Sequence, residues 1–148
     1  MRNLLLTFIL LFGIFSVNVY ANVKASQIRQ LKNQIIEEEI PNCQNIDTYY
    51  DRVYCSGKIY NIMDDKLNGV YKSLLKKLSK IQKRKLNNVQ MKWIHHRDDK
   101  CARINSDGIV LNLTCSIRNT TESLYYIKEM NHNIKEFDTI LQEYKSKK

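Results

Sequence analysis

The stretch richest in reactive side chains is QMKWIHHRDDKC, Gln90 to Cys101, which holds the only tryptophan, two of the three histidines, an Arg-Asp-Asp run and a cysteine. Imidazole beside carboxylate is the raw material of acid–base catalysis and of metal ligation. On a helix, only residues three or four apart share a face, and here these are Gln90, Trp93, Ile94, Arg97 and Cys101. His95 and His96 are neighbours, about 100° apart around a helix, and cannot both reach one ion. His95 and Asp99 do have the i, i+4 spacing, but a two-ligand pair is common by chance, and a solvated face is the expectation. Arg97 lies one turn from Trp93, where its guanidinium sits over or beside the indole, worth about 0.5–1 kcal/mol when exposed and more when desolvated. Its remaining donors need a carboxylate or carbonyls, and Asp64 or Asp65 of the preceding helix is expected to supply one.

Other chemistry is sparse. Paired carboxylates recur at Glu37 to Glu39, Asp64-Asp65 and Asp98-Asp99, but adjacent residues diverge on a helix. A covalent hydrolase needs a nucleophile with a base beside it, and there is no Gly-bracketed serine or unpaired catalytic cysteine. The chain is therefore expected not to be an enzyme, with no catalytic residue, metal or cofactor assigned. Asn112-Leu113-Thr114 and Asn119-Thr120-Thr121 match the glycosylation sequon, which matters only in a eukaryotic secretory route.

The elements that must carry these residues are helical. One proline and four glycines in 148 residues leave few breakers, and the apolar residues recur at steps of three and four, which predicts an all-α protein, a small helical bundle. A first helix is expected over Ser26 to Glu39, capped by Ser26, with Ile28, Leu31, Ile35 and Ile36 on one face and the proline of IPNC ending it. CQNIDTYYDRVYC follows as a short helical segment. Ile59, Met63, Leu67, Val70, Leu74, Leu78 and Ile81 then trace one long amphipathic helix. Leu86 to Ile104 forms the next helix, broken by NSDG, and GIVLNLTC is extended or irregular. A last helix runs from Ile117 through Leu124, Ile127, Ile134 and Phe137 to Leu141, and the composition of LQEYKSKK favours fraying into solvent.

The ends and the bulk charge bound where the protein works. Arg2 precedes an apolar run from Leu4 to Val19, which reads as a secretory signal peptide cleaved after Ala21 in VYA. The run is shorter than the roughly 20 apolar residues that span a bilayer and is interrupted by Gly13 and Asn18, so no transmembrane segment is expected in the mature chain. Export places Cys43, Cys55, Cys101 and Cys115 in an oxidising compartment, periplasmic or extracellular, where two disulfides are expected. Four cysteines admit three pairings, and only loop shortness favours the two local ones. A metal site needs tighter ligand pairs than these. After cleavage 23 basic side chains face 15 acidic ones, a net of +8. Such a charge attracts anionic neighbours, yet no helix-turn-helix or RNA-binding sheet is present, so nucleic acid is not an expected partner. KSLLKKLSKIQKRK is basic and amphipathic, as membrane-surface helices are, although its apolar side is read as a core face.

Several fixed spacings carry a resemblance. Cys43 has Cys55 eleven intervening residues on; DDKLNGVY fits Asp-x-x-Leu-Asn-x-x-Tyr through Asp64, Leu67, Asn68 and Tyr71; and QMKWIHHRDDKC fits Gln-x-x-Trp-Ile-x-x-Arg-Asp-x-x-Cys through Gln90, Trp93, Ile94, Arg97, Asp98 and Cys101, with Cys115 closing the series. In these residues the chain resembles the lysozyme-inhibitor LprI-like N-terminal domain family, small cysteine-bearing helical domains exported by many bacteria. The resemblance implies pairing of Cys43 with Cys55 and of Cys101 with Cys115, each closure adding about 3 kcal/mol on a chain-entropy account. Together with the signal peptide (1–21), it divides the chain into an N-terminal helical extension (22–42), the LprI-like domain (43–127), and a C-terminal helix extension with a basic tail (128–148). Two departures stand out: Ser123 occupies the place of an expected arginine, and the Gly-Ser element before the last cysteine is reduced to SDGIV.

The resulting expectation is an exported non-enzymatic binding protein whose partner is a protein, with lysozyme as the one the resemblance implies. Common animal lysozymes are basic, so a chain of +8 meets long-range repulsion unless acidic residues such as Glu37 to Glu39 face the partner. The rival expectation is a basic envelope-associated protein contacting anionic lipid or wall polymer.

Overall fold

A computed structural model describes residues 24–44 and 46–146, and these residues form five α-helices and one β-hairpin. The expected signal peptide and the two terminal lysines lie outside the described residues. Helix α1 covers residues 24–39. It already includes residues 24 and 25, so Ser26 lies inside the helix rather than capping it. A 3-10 turn, Pro41–Cys43, follows. Helix α2, Tyr49–Lys77, absorbs the short segment expected between the first two cysteines and begins at Thr48, whose side chain accepts a hydrogen bond from the Asp51 backbone.

The long apolar stripe does not continue to Ile81 as expected. Helix α2 ends at Lys77, Leu78 is extended, and α3, Lys80–Cys101, starts afresh from Ser79. Ser79 and Gln82 form a reciprocal capping box, which satisfies two backbone N–H groups that a helix start leaves orphaned. Leu78 stays buried, while Ile81 turns out into solvent. At the other end α3 stops at Cys101, three residues short of the expected Ile104. Ala102–Asn105 and Gly108–Leu111 pair as antiparallel strands β1 and β2, with Ile104 opposite Ile109. The turn between them needs Gly108, whose φ is +129°, a backbone region that side chains disfavour.

Helix α4, Leu113–His132, is capped by the Asn112 side chain on the Cys115 backbone N–H. The expected continuous last helix breaks at Asn133, passes through a short 3-10 turn, and resumes as α5, Phe137–Ser146. The break reverses the chain, so that Phe137, Leu141 and Tyr144 pack into the core. Burying side chains of this size stabilises by about 1.5–3 kcal/mol apiece, which outweighs the fraying expected from composition.

Helices α2 and α4 run parallel: Ser56 and Ile59 line the same groove as Thr114 and Ile117, and Lys77 donates to the Asn131 carbonyl at the far end. Helix α3 returns antiparallel to α2, joined to it by Arg97–Asp64 and Tyr71–Asn87 contacts. The core lies among Met63, Leu67, Leu74, Leu86, Trp93 and Ile127, with Leu31 and Ile35 of α1 on one side. One end of the bundle therefore gathers the start of α2, the end of α3, the hairpin and the start of α4.

Candidate functional site

The Trp93–Arg97 face is turned inward. Trp93 is 3% exposed, and the Arg97 side chain is 13% exposed. The guanidinium carbon lies 4.9 Å from the indole centroid and 5.9 Å from that of Tyr60. Arg97 Nε donates to Asp98 at 2.9 Å, and Nη1 reaches Asp64 Oδ1 at 3.3 Å. Of the two carboxylates expected from α2, Asp64 makes the contact. Burial works against the Arg97 charge, but the Asp98 hydrogen bond, with Tyr60 and Asp64 close by, outweighs it and raises the pKa. The cation is thus held charged in a setting that leaves little of it for a ligand to touch.

The remaining motif residues knit helices together. Asn68 donates to Asp64 at 3.1 Å on α2, and Tyr71 donates to Asn87 of α3. Leu67 is buried and Ile94 packs against the core from its margin. Gln90 accepts from the Tyr144 hydroxyl at 3.0 Å, and that hydroxyl lies 2.6 Å from Ser123 Oγ. A phenol has one hydrogen; if it goes to Gln90, Ser123 must be the donor to Tyr144. Ser123, where the resemblance calls for arginine, is fully buried and joins α4 to α5 through this bond.

Sequence-flagged chemistry outside that face does not assemble into a site. His95 is exposed, and among the described residues no group of three or more His, Cys, Asp or Glu is placed to hold a metal. The Asn119 sequon is blocked: its amide nitrogen, the atom a glycan needs, is buried and donates to the Cys115 carbonyl at 2.8 Å.

What sequence reasoning missed is the surface at the end of the bundle where both disulfides lie. Cys43 pairs with Cys55 and Cys101 with Cys115. Beside the first, Tyr49, Tyr50, Val53 and Tyr54 form a solvent-facing stripe on the opening turns of α2, with Tyr50 84% exposed. Beside the second, the hairpin exposes Ile104, Ile109, Val110 and Leu111, with Ile104 at 86%. The second disulfide and a 2.7 Å bond from Asn112 N–H to the Cys101 carbonyl close the hairpin at its base. Eight of the ten large apolar residues exposed among the described ones are at this end. A concentration of that kind differs from the singly scattered apolar residues of an ordinary surface and makes this end the candidate interaction surface. Its charge is also distinct: six acidic residues, Asp47, Asp51, Asp98, Asp99, Asp107 and Glu122, stand against six basic ones, Arg52, Lys58, Arg97, Lys100, Arg103 and Arg118, in a chain of net +9. The β-branched Ile104, Ile109 and Val110 flanking the Ser-Asp-Gly turn residues were the available signal for the hairpin; nothing in the tyrosines' own neighbourhood announced that no other element would cover them.

Among the described residues no helix is long and apolar enough to cross a membrane. Comparison with curated proteins finds no match, and comparison with solved structures finds none either. Residues 41–136 match the family described as lysozyme inhibitor LprI. That span takes in both disulfides, α2 to α4 and the hairpin, and extends past the Ile127 boundary expected from the motifs. This match, over more than half of the chain, places it in the lysozyme inhibitor LprI family.

Proposed function

We propose that the chain is an exported, non-enzymatic binding protein that inhibits a lysozyme by docking through its cystine-braced end. The observation that carries the reading is the cluster of eight exposed apolar side chains beside the two disulfides. The family description supplies the partner class. A hairpin already closed by a cystine loses little conformational freedom on binding, so more of its apolar burial appears as affinity. Large aromatic and aliphatic side chains grouped in one place also match the composition of interface hot spots. The balanced charge of this end reduces the repulsion that a basic partner meets elsewhere on the molecule. In this reading the Trp93–Arg97 face is the fastening that holds α2 and α3 in register, and the apolar run ending near Ala21 directs export.

The test is wall lysis by lysozyme in the presence of the oxidised protein. Lysis is expected to slow at stoichiometric ratio, and the pairs Ile109→Ser with Val110→Ser and Tyr50→Ser with Tyr54→Ser each weaken inhibition by about tenfold or more without lowering the melting temperature. Unchanged lysis across several lysozyme types sinks the inhibitor reading. Full inhibition by both variant pairs moves the interface elsewhere.

A further inference from the structure

Among the described residues, the two large exposed apolar side chains that do not belong to the cystine-braced end are Ile81, 60% exposed, and Met91, 47% exposed. Both lie on α3, ten positions apart, about 15 Å along the helix axis and within one wedge of its circumference. They are embedded in positive charge: residues 66–92 contain nine Lys and Arg and no Asp or Glu. On α3 itself Lys80, Lys83, Arg84 and Lys92 are exposed and none is ion-paired among the described residues. Lys85 is paired with Asp138 of α5, and Glu129 and Glu136 are the other carboxylates at this end of the bundle, on the α4–α5 side. The cationic surface continues into a groove of about 310 Å³ where Lys85, Lys92 and Lys145 surround Val89 and Leu141.

We infer that the outward face of α3, from Lys80 to Lys92, is a contact surface for an anionic lipid bilayer. Charge complementarity selects an anionic partner, since each Lys or Arg near such a surface strengthens binding by about fivefold. The exposed Ile81 and Met91 select a bilayer over a soluble polyanion, because only a bilayer has an apolar boundary in which they escape water. The face begins at the opposite end of α3 from Cys101, so a molecule seated on it holds its cystine-braced end away from the α2–α3 corner. Envelope attachment and partner binding therefore occupy different surfaces, and this inference stands independently of the inhibitor reading.

The experiment uses the oxidised chain recovered from the compartment into which an expressing cell exports it, mixed with vesicles of phosphatidylcholine alone or with phosphatidylglycerol. Sedimentation with the phosphatidylglycerol vesicles only, reversed near 0.5 M salt, where the screening length falls to roughly 4 Å, is the expected result. The triple variant Lys80→Glu, Arg84→Glu, Lys92→Glu is expected to lose at least about tenfold in binding, and Ile81→Ser with Met91→Ser severalfold, both melting like the parent. Ile109→Ser with Val110→Ser is expected to bind vesicles like the parent. Equal binding to neutral vesicles, or a charge-reversed variant that binds like the parent, overturns the assignment. So does retention on a soluble polyanion as strong as on vesicles and indifferent to the Ile81 and Met91 changes, which would give this face to a polymer instead.

Discussion

Trp93 and Arg97 divide the two roles that a tryptophan beside a cation can have. In a ligand site their faces would be open; here the indole is 3% exposed and the guanidinium is enclosed by Trp93, Tyr60, Asp64 and Asp98. Trp93→Ala removes a core side chain and is expected to cost about 3–5 kcal/mol. Arg97→Ala strands two carboxylates, one of them part-buried, and is expected to cost about 1–3 kcal/mol. Denaturant unfolding measures both, and the folded fraction of each variant should inhibit lysozyme as the parent does. Variants that unfold like the parent but lose the partner would make this face the site. The pairing of Arg97 with a carboxylate of α2 was legible from donor counting alone; that it is Asp64 and not Asp65 depends on which side of α2 meets α3.

Helix boundaries are decided by a few capping atoms. The apolar stripe runs in phase from Ile59 to Ile81, so periodicity favours one helix, yet Ser79 and Gln82 start a second. The Ser-x-x-Gln spacing was present in the sequence, and its meaning there was masked by the uninterrupted stripe. Ser79→Ala is expected to cost about 0.5–2 kcal/mol, read as a lower denaturation midpoint; a midpoint unchanged from the parent would show that α2–α3 packing, not the cap, ends α2. The same competition runs the other way at the C-terminus. Lys and Ser favour fraying, but Asn133 breaks the helix early enough for α5 to fold back and bury Tyr144 against Gln90 and Ser123.

The whole molecule is held in part by two neighbouring buried tyrosines, Tyr126 and Tyr144, whose ring centroids lie 5.4 Å apart and which resist ionisation. Burial first, then the nearby Glu122 and Tyr125, pushes the Tyr126 hydroxyl up to about 12. Burial raises Tyr144 further, against the opposing effect of the Ser123 hydrogen bond. An unfolded tyrosine ionises near pH 10. Both groups are raised, so their contribution is complete below about pH 10 and is lost as pH rises through the folded values, because the unfolded chain gives up these protons first. Stability to denaturant is expected to fall steadily from about pH 10 upward, with tyrosinate absorbance from these two residues appearing only as the fold is lost. Full ionisation of every described tyrosine in a still-folded protein would contradict this account. The same scale separates a charge-balanced, apolar end from a cationic α3 face, so that the two proposed contacts need not compete.

The local pattern determined much of this protein: few breakers and three-and-four periodicity require helices, four cysteines allow two cystines, and the Asp-Leu-Asn-Tyr and Gln-Trp-Ile-Arg-Asp-Cys spacings carry the family. Those features are legible because they depend on residues within a turn or two of one another. The cystine pairing that loop shortness favoured and the resemblance implied is the one that forms, but whether a capping serine outcompetes an in-phase stripe and whether Tyr50 or Ile104 is covered were decided only by tertiary structure. Each depends on segments far apart in the chain arriving, or failing to arrive, at the same place, and exposure in particular belongs to a residue's neighbours rather than to the residue.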